Sequence, residues 1–569
     1  MLTNIENNGE KSDETDKSIV EHMKKILHDT RIYLLSLTVE PICVLIYFGW
    51  VFGNTIQSPG LYRRVCEIYY MDDPNVDCYH IDKDHVENNV QRHASLWTLY
   101  NALAYLVPAI FADTILGAYG DKHGRKINIL LGIAGIAFSE FGYMLTLSDS
   151  VHTPYWTTLV FGIFTGATGY IALIPVSCNA YLADITADPD LLTIRSGILS
   201  MIQGFSCVIG GYSAALVGNI AIAKAMDVEL ATYLLALLYT LWRIPQRPGI
   251  RELERRSRAR TSSRSSSKSK QDAILTHLKE VWQLLKDGWH AYTRKRIGHR
   301  RSFMFITAIV LMLTYTTSLE TRTSGVINSY LFRRTDTNSF DWNSTDLGFW
   351  NGTGYLVLIL GTMFGLYFFK KVLKFHETTL ILIGILSSSL RTAIIGLAKE
   401  DWMLYVAQFV GCFGGLIQPA VVSYIVQIVP YEEVGRAFSL FGIGANFAYI
   451  ITNAIYSPIY SATEAWFPGF LFIIITAIQA IAGLAMLWVH FKSKSEGIGK
   501  PKEQKRDIQK AISEIGSEPH DDGVFFTHNS RPDKHLTIYD HALERDQLKV
   551  DELWGSMSDD GRERMGSFF

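Results

Sequence analysis

Ionisable residues set inside apolar sequence mark where this chain could do chemistry. Residues 117–126 read GAYGDKHGRK, with nearly charge-free stretches on both sides. Asp121 stands there among Lys122, Arg125 and Lys126, bracketed by Gly117 and Gly124. Gly124 permits a tight turn and Gly117 a close helix approach. An acid so placed can take a charge-assisted hydrogen bond from an arginine or helix N-terminus of another helix, latching that side of the molecule. Asp184 and Arg195 flank a later loop and read as a second lock, echoed by Arg436 in EEVGRAFS. Lone charges within apolar runs form the other group: Glu320 and Arg322 in TYTTSLETRTSG, and Glu140. Such groups are expensive in hydrocarbon and default to function. Glu320 could carry a proton and Arg322 could meet an anionic cargo; structural pairs with other helices are the plainer alternative. Tyr170, Gln203, Gln418, Asn446 and Asn453 are uncharged candidates for lining a path, and each could equally serve as a helix–helix hydrogen bond.

Enzyme chemistry finds no support. There is no nucleophile–base arrangement and no GxxxxGK[ST] loop for a nucleotide. Six scattered cysteines form no CxxC or Cys/His cluster, so no metal and no cofactor is expected. A formal net charge of −2 gives no reason to expect a nucleic-acid partner.

The elements that must position these residues follow from hydropathy. Of 569 residues, 48% are hydrophobic and only 19% charged, and the apolar ones fall in blocks. A helix needs about 20 mostly apolar residues to cross a bilayer, and about twelve blocks meet that length. They lie near 33–55, 94–117, 127–147, 156–182, 196–220, 228–244, 303–326, 347–369, 377–397, 402–428, 434–457 and 465–491. In lipid such runs must be helical, which makes this an all-α, multi-pass membrane protein. The domains read as an N-tail (1–32), a six-helix bundle (33–244), a linker (245–301), a second six-helix bundle (302–491) and a disordered C-tail (492–569). Asp227 and Glu229 crowd the start of the sixth block.

The linker is rich in Lys and Arg, which places it and both termini in the cytoplasm. Its Arg/Ser run is too polar to fold. The segment after it repeats Leu278, Val281, Trp282, Leu285 and Trp289 at helical spacing, as a helix lying on the membrane would. Glu280 with Leu284 and Leu285 also fits an acidic dileucine sorting pattern. The loop 56–92 is then outside. Cys66 and Cys78 are the only cysteines in an outside loop, and an oxidising compartment would pair them. Asn343 in NST is a glycosylation acceptor by pattern; Asn351 in NGT lies too near the eighth span.

The two halves echo each other. LYFFKKVLKFH (366–376) follows the eighth span as GAYGDKHGRK follows the second, with Lys370 in place of the acid. Parallel repeats of this kind belong to transporters that rock one bundle against the other. Gly162, Gly166 and Gly169 in the fourth span match Gly411, Gly414 and Gly415 in the tenth, and Pro175 and Pro419 are expected to kink those spans alike.

The pattern Gly117, Asp121, Gly124, Arg125, Lys126 resembles the cytoplasmic signature of the major facilitator superfamily, whose fold is twelve helices in two six-helix bundles. VEP (39–41), YRRVC (62–66), SLWTLYNAL (95–103), AYLADIT (180–186), GRAFS (435–439) and NAIYSPIYSATEAWFPGFLF (453–472) further resemble solute carrier family forty-six, which holds the proton-coupled folate transporter and haem carrier-like members. That resemblance implies a secondary transporter of an organic anion working by alternating access, with protons as symport partners, in the plasma or lysosomal membrane, as a monomer or weak homo-oligomer. The alternatives are an uncoupled facilitator or a non-transporting receptor. Charges that the folate member uses fall here at Tyr170, Ser200 and Val422, so folate is an improbable cargo and larger anions such as muramyl peptides are the better comparison. The family's disulfide joins two outside loops. The second has no cysteine here, and Cys66 sits at the first partner's position.

Overall fold

The computed structural model describes residues 37–70, 76–78, 84–148, 153–185, 189–217, 222–246, scattered positions from 286 to 296, 298–320, 325–333, 340, 342–429 and 451–497. The tails, the Arg/Ser run, the dileucine pattern, Arg322, Arg436 and Asn446 lie outside these residues. Of Asp121 and Glu320 only the helical backbone is described.

Fifteen α-helices carry the description: α1 Glu40–Tyr70, α2 Asp84–His123, α3 Lys126–Leu147, α4 Thr157–Ala167, α5 Tyr170–Ile185, α6 Pro189–Val217, α7 Ile222–Arg243, α8 Arg300–Glu320, α9 Gly325–Leu331, α10 Ser344–Gly365, α11 Glu377–Leu397, α12 Asp401–Val410, α13 Ile417–Ile428, α14 at 451–463 and α15 Phe470–Ser495. A π-helical stretch, Leu366–Val372, extends α10, and a 3₁₀ stretch, Gly411–Leu416, joins α12 to α13. No strand occurs among the described residues. Nine of the described segments are long and apolar enough to cross a membrane. Twelve are not reached. The eleventh block is only partly described, and α1 falls short because polar residues such as Asn54 and Gln57 dilute it. Large apolar side chains face outward, including Leu216 and Trp242, each 80% exposed. That surface suits lipid and would be costly in water.

Packing repeats along the chain. The third span (α3) packs on the sixth (α7), and the ninth (α11) on the twelfth (α15). The second span (α2) packs on α4 of the fourth, and α10 of the eighth on the tenth. The duplication read from the two basic turns is thus repeated in helix neighbours.

Several expectations need correction. The stretch 56–92 is mostly helix. α1 runs past Pro59 to Tyr70 and α2 begins at Asp84, because Tyr62, Val65, Cys66, Val86 and Val90 bury together against Tyr155. The Cys66–Cys78 disulfide caps this cluster, with Cα atoms 5.7 Å apart. The fourth and tenth spans are interrupted alike, yet at their glycines and not at Pro175 or Pro419, which sit inside α5 and α13. In the fourth span the helix stops at Thr168, and Gly169 (φ +92°) and Tyr170 (φ +48°) turn left-handed. Polar residues after 491 continue α15 to Ser495.

Candidate functional site

The apolar interior is broken by a polar-lined cavity, partly open to solvent, walled mainly by helices of the first half. Trp50, Asn54, Gln57 and Ser58 of α1 line it, with Thr98, Asn101 and Tyr105 of α2, Ser139, Glu140 and Tyr143 of α3, Tyr170 of α5, Asn328 of α9 and Asn453 of α14. No Lys, Arg or His is among the described lining residues.

Helix interruptions shape this cavity. The break before α5 swings Tyr170 into the wall, where its ring stacks on Tyr105 at 4.4 Å. A left-handed non-glycine residue costs about 1–2 kcal/mol, and such strain collects at functional sites. Gly166 lets α4 approach the Tyr105 carbonyl, and Gly162 meets Ala104. Asn101 is held by Tyr155 (3.2 Å) and by the Thr158 hydroxyl, which donates to its Oδ1 at 2.8 Å.

Glu140 belongs to a carboxyl pair. The Gln57 amide nitrogen donates to Glu140 Oε2 and also to Glu229 Oε2, the latter at 3.2 Å. Glu229 lies behind the wall at 1% exposure, and its Oε1 accepts from the Tyr233 hydroxyl at 3.0 Å. Two oxygens sharing one donor lie within two hydrogen-bond lengths, roughly 6 Å. Two negative charges at that separation repel by about 3 kcal/mol at an effective dielectric near 20. Gly53 makes the room, since a Cβ there would overlap the Glu229 carboxyl. Sequence reasoning named Glu140 but missed Gln57, assigned to a loop, and Glu229, noted only as crowding a span. The rule that flags charges in spans also points to Glu229, and to Arg391 in α11. Arg391 is buried, with Nε 3.2 Å from Gln408 Oε1 and its guanidinium 5.9 Å from the Trp350 ring.

The remaining residues divide by place. Gly124 turns the chain (φ +98°) as expected, whereas Gly117 lies within α2 with open space around it. The close approach is made instead at Gly120, against Asn128. Lys126 donates to the Leu241 carbonyl at the end of α7 (2.9 Å), and Arg125 leads into α3. In the second half Lys370 pairs with buried Glu377, which also accepts from Ser423 (2.9 Å) and Gln427 (3.2 Å) of α13. Arg195 is buried and pairs with Glu40 at 3.5 Å, while Asp184 is half-buried near the end of α5. Gln203 packs on Cys43 (3.7 Å) and Gln418 is exposed; neither lines the cavity. Asn343 is exposed and N-caps α10, its Oδ1 accepting from the Thr345 and Asp346 amides.

Neutral hydrogen bonds join the helices of the two halves. Asn328 donates to Ser58 (2.6 Å), Asn351 to Thr55 (3.1 Å), Tyr460 to Gln91 (3.2 Å) and Gln91 to the Ser329 carbonyl (3.4 Å). Beside them Glu464, in the turn after α14, is buried near Arg333, whose guanidinium donates to the Glu464 carbonyl at 2.6 Å. Burial raises the Glu464 carboxyl to about 8, against the lowering influence of Arg333 and Arg92.

The profile of the Major Facilitator Superfamily matches residues 93–375 and 303–538, well over half of the chain. The chain belongs to the Major Facilitator Superfamily. Its curated relatives are members of solute carrier family 46, as the motifs implied. A probable peptidoglycan muropeptide transporter of Drosophila melanogaster is 22% identical over 483 residues, covering 81% of this chain and 86% of the relative. A lysosomal proton-coupled steroid conjugate and bile acid symporter of Gallus gallus is 22% identical over 471 residues, covering 80% and 94%. Solute carrier family 46 member 2 of Canis lupus familiaris is 22% identical over 433 residues, covering 72% and 83%. Among solved structures, a nucleoside transporter NupG mutant aligns with TM-score 0.53, 14% identity and coverage of 79% and 98%. The inward-open xylose transporter XylE from E. coli aligns with TM-score 0.50, 13% identity and coverage of 78% and 94%. These likenesses show the fold. The protein is a multi-pass membrane transporter and not an enzyme.

Proposed function

We propose that this chain is a proton-coupled symporter of a mid-sized organic anion, working by alternating access. One observation carries the reading: the cavity places a carboxyl, Glu140, in its wall, with no Lys, Arg or His beside it among the described lining residues. A dissociated carboxylate would repel an anion there, so anion and proton bind best together, which is the thermodynamic definition of coupling. The amides of Asn54, Asn101, Asn328 and Asn453 supply donors to the cargo. Relatives named for muropeptides and for steroid conjugates and bile acids handle solutes of this class, one of them with protons in the lysosome. Muramyl peptides and conjugated steroids are therefore the first cargoes to test, and a lysosomal or plasma membrane the first places to look.

The hydrogen bonds between the halves support the cycle. Each is worth about 0.6 kcal/mol in a membrane protein, so the set can open at modest cost. The turns at Asp121–Lys126 and Lys370–Glu377 are the proposed clasps of the opposite, cytoplasmic side. The test is uptake by proteoliposomes of muramyl dipeptide and taurocholate with and without an inward acid gradient. Accumulation that requires the gradient is expected. Equal flux with and without it would identify an uncoupled facilitator and end the symport reading.

A further inference from the structure

Resting on the symport reading, we propose that Glu140 and Glu229 form one proton-binding unit bridged by Gln57, and that this unit is where transport and proton movement meet. Three helices build it. α1 supplies the bridging amide, α3 the carboxyl in the cavity wall and α7 the buried carboxyl behind it. α3 and α7 pack on each other, and Gly53 of α1 leaves the space that the Glu229 carboxyl fills.

Among the described residues, none of those lining the cavity or bonded to the unit is a cation. Gln57 is neutral, and the Tyr233 phenol that donates to Glu229 is neutral at physiological pH. The titratable groups facing it are Tyr143 from α3 and Tyr170 from α5, also phenols. A buried pair of carboxyls without a cation settles by holding a proton between them, because one ionised partner disfavours ionisation of the other. Gln57 suits that state. Its amide has both donors and an acceptor, so it can serve an ionised carboxyl on one side and a protonated one on the other.

Position makes the unit a coupler. Glu140 borders the cavity and Glu229 does not, so a hydronium ion in the cavity can give its proton to the pair and leave as water. An anion in the cavity then meets a wall one negative charge poorer. When the proton leaves, repulsion returns and the anion is released. The amide bridge ties both events to α1, whose Ser58 and Thr55 accept bonds from Asn328 and Asn351 of the second half. Loss or gain of the proton is thereby felt where the halves meet.

The test uses the full chain in lipid nanodiscs and reads the carbonyl stretch of protonated carboxyls by infrared difference spectroscopy during a pH titration. E140Q and E229Q each remove the like charge that holds the proton, so each is expected to move the band's titration at least about tenfold toward higher proton concentration, a shift typical of linked sites. The double variant should lack it. G53A, which presses on Glu229 without changing any titratable group, should also shift the band. In proteoliposomes, stimulation of taurocholate uptake by an acid gradient should fall about tenfold in E229Q. A band untouched by both single substitutions would overturn the proposal, and so would full gradient-driven accumulation in E140Q and E229Q. If the band responds as expected while the wild type shows no gradient-driven uptake, the proton unit stands and the symport reading falls.

Discussion

Glu40 and Arg195 offer a quantitative test of how this fold holds its helices together. Glu40 begins α1 and Arg195 lies in α6; both side chains are about 95% buried and their charged atoms are 3.5 Å apart. At that distance an effective dielectric near 20 gives an attraction of about 5 kcal/mol, set against the cost of taking both charges from water. Glu40 also accepts from the Thr38 amide at 2.7 Å. E40Q keeps an acceptor for that amide but removes the charge, leaving the Arg195 guanidinium buried without its carboxylate. A loss of about 3–5 kcal/mol is expected. R195M and the double variant E40Q/R195M complete the cycle; the double removes both charges and should lose far less, giving a coupling energy of at least about 2 kcal/mol. The assay is thermal unfolding of all four proteins of the cycle in one detergent. E40Q should melt several degrees below wild type and the double variant between the two. If E40Q is unshifted, or the double variant is as unstable as the worse single, the Glu40–Arg195 ion pair does not hold α1 to α6.

Three other outcomes follow from named contacts. The Glu464 carboxyl is raised by burial to about 8, so the native state binds its proton more tightly than the unfolded chain does; stability should be present in acid and fall as pH rises between the ordinary carboxylate range and 8, and E464Q should flatten that part of the melting profile. G169A should destabilise by more than about 1–2 kcal/mol, since alanine at φ +92° is strained and its Cβ would press on Leu173 and Asp113, whereas G162A, meeting Ala104 at 3.4 Å, should be nearly neutral by melting. N343A should cost about 1 kcal/mol by losing the α10 cap, while N343D keeps the cap. Both should abolish a glycosidase-sensitive mass shift on gels, the readout of the glycosylation proposed at that sequon.

Much of this protein is written in one dimension. Apolar blocks of bilayer length located the spans, because lipid leaves a backbone no alternative to the helix. The motifs placed the family. Gly124 turns as expected because a sharp reversal between two long helices needs a left-handed residue. Glu140 could be picked out alone, since a carboxyl in hydrocarbon is costly wherever it points. Its partnership could not. Gln57, Glu140 and Glu229 come from distant parts of the chain, and hydropathy has no term for two side chains converging on a third. The same limit explains why Gln57 was assigned to a loop: block counting stops where polarity begins, while α1 continues because its polar face lines a cavity and its apolar face packs beneath the disulfide. Likewise the glycines of the fourth span promised close packing, and only the folded chain decided that Gly166 would pack while Gly169 and Tyr170 would break the helix. Composition determined that this chain lives in a bilayer; the meeting of helices from different stretches decided which carboxyls and amides gather at the cavity.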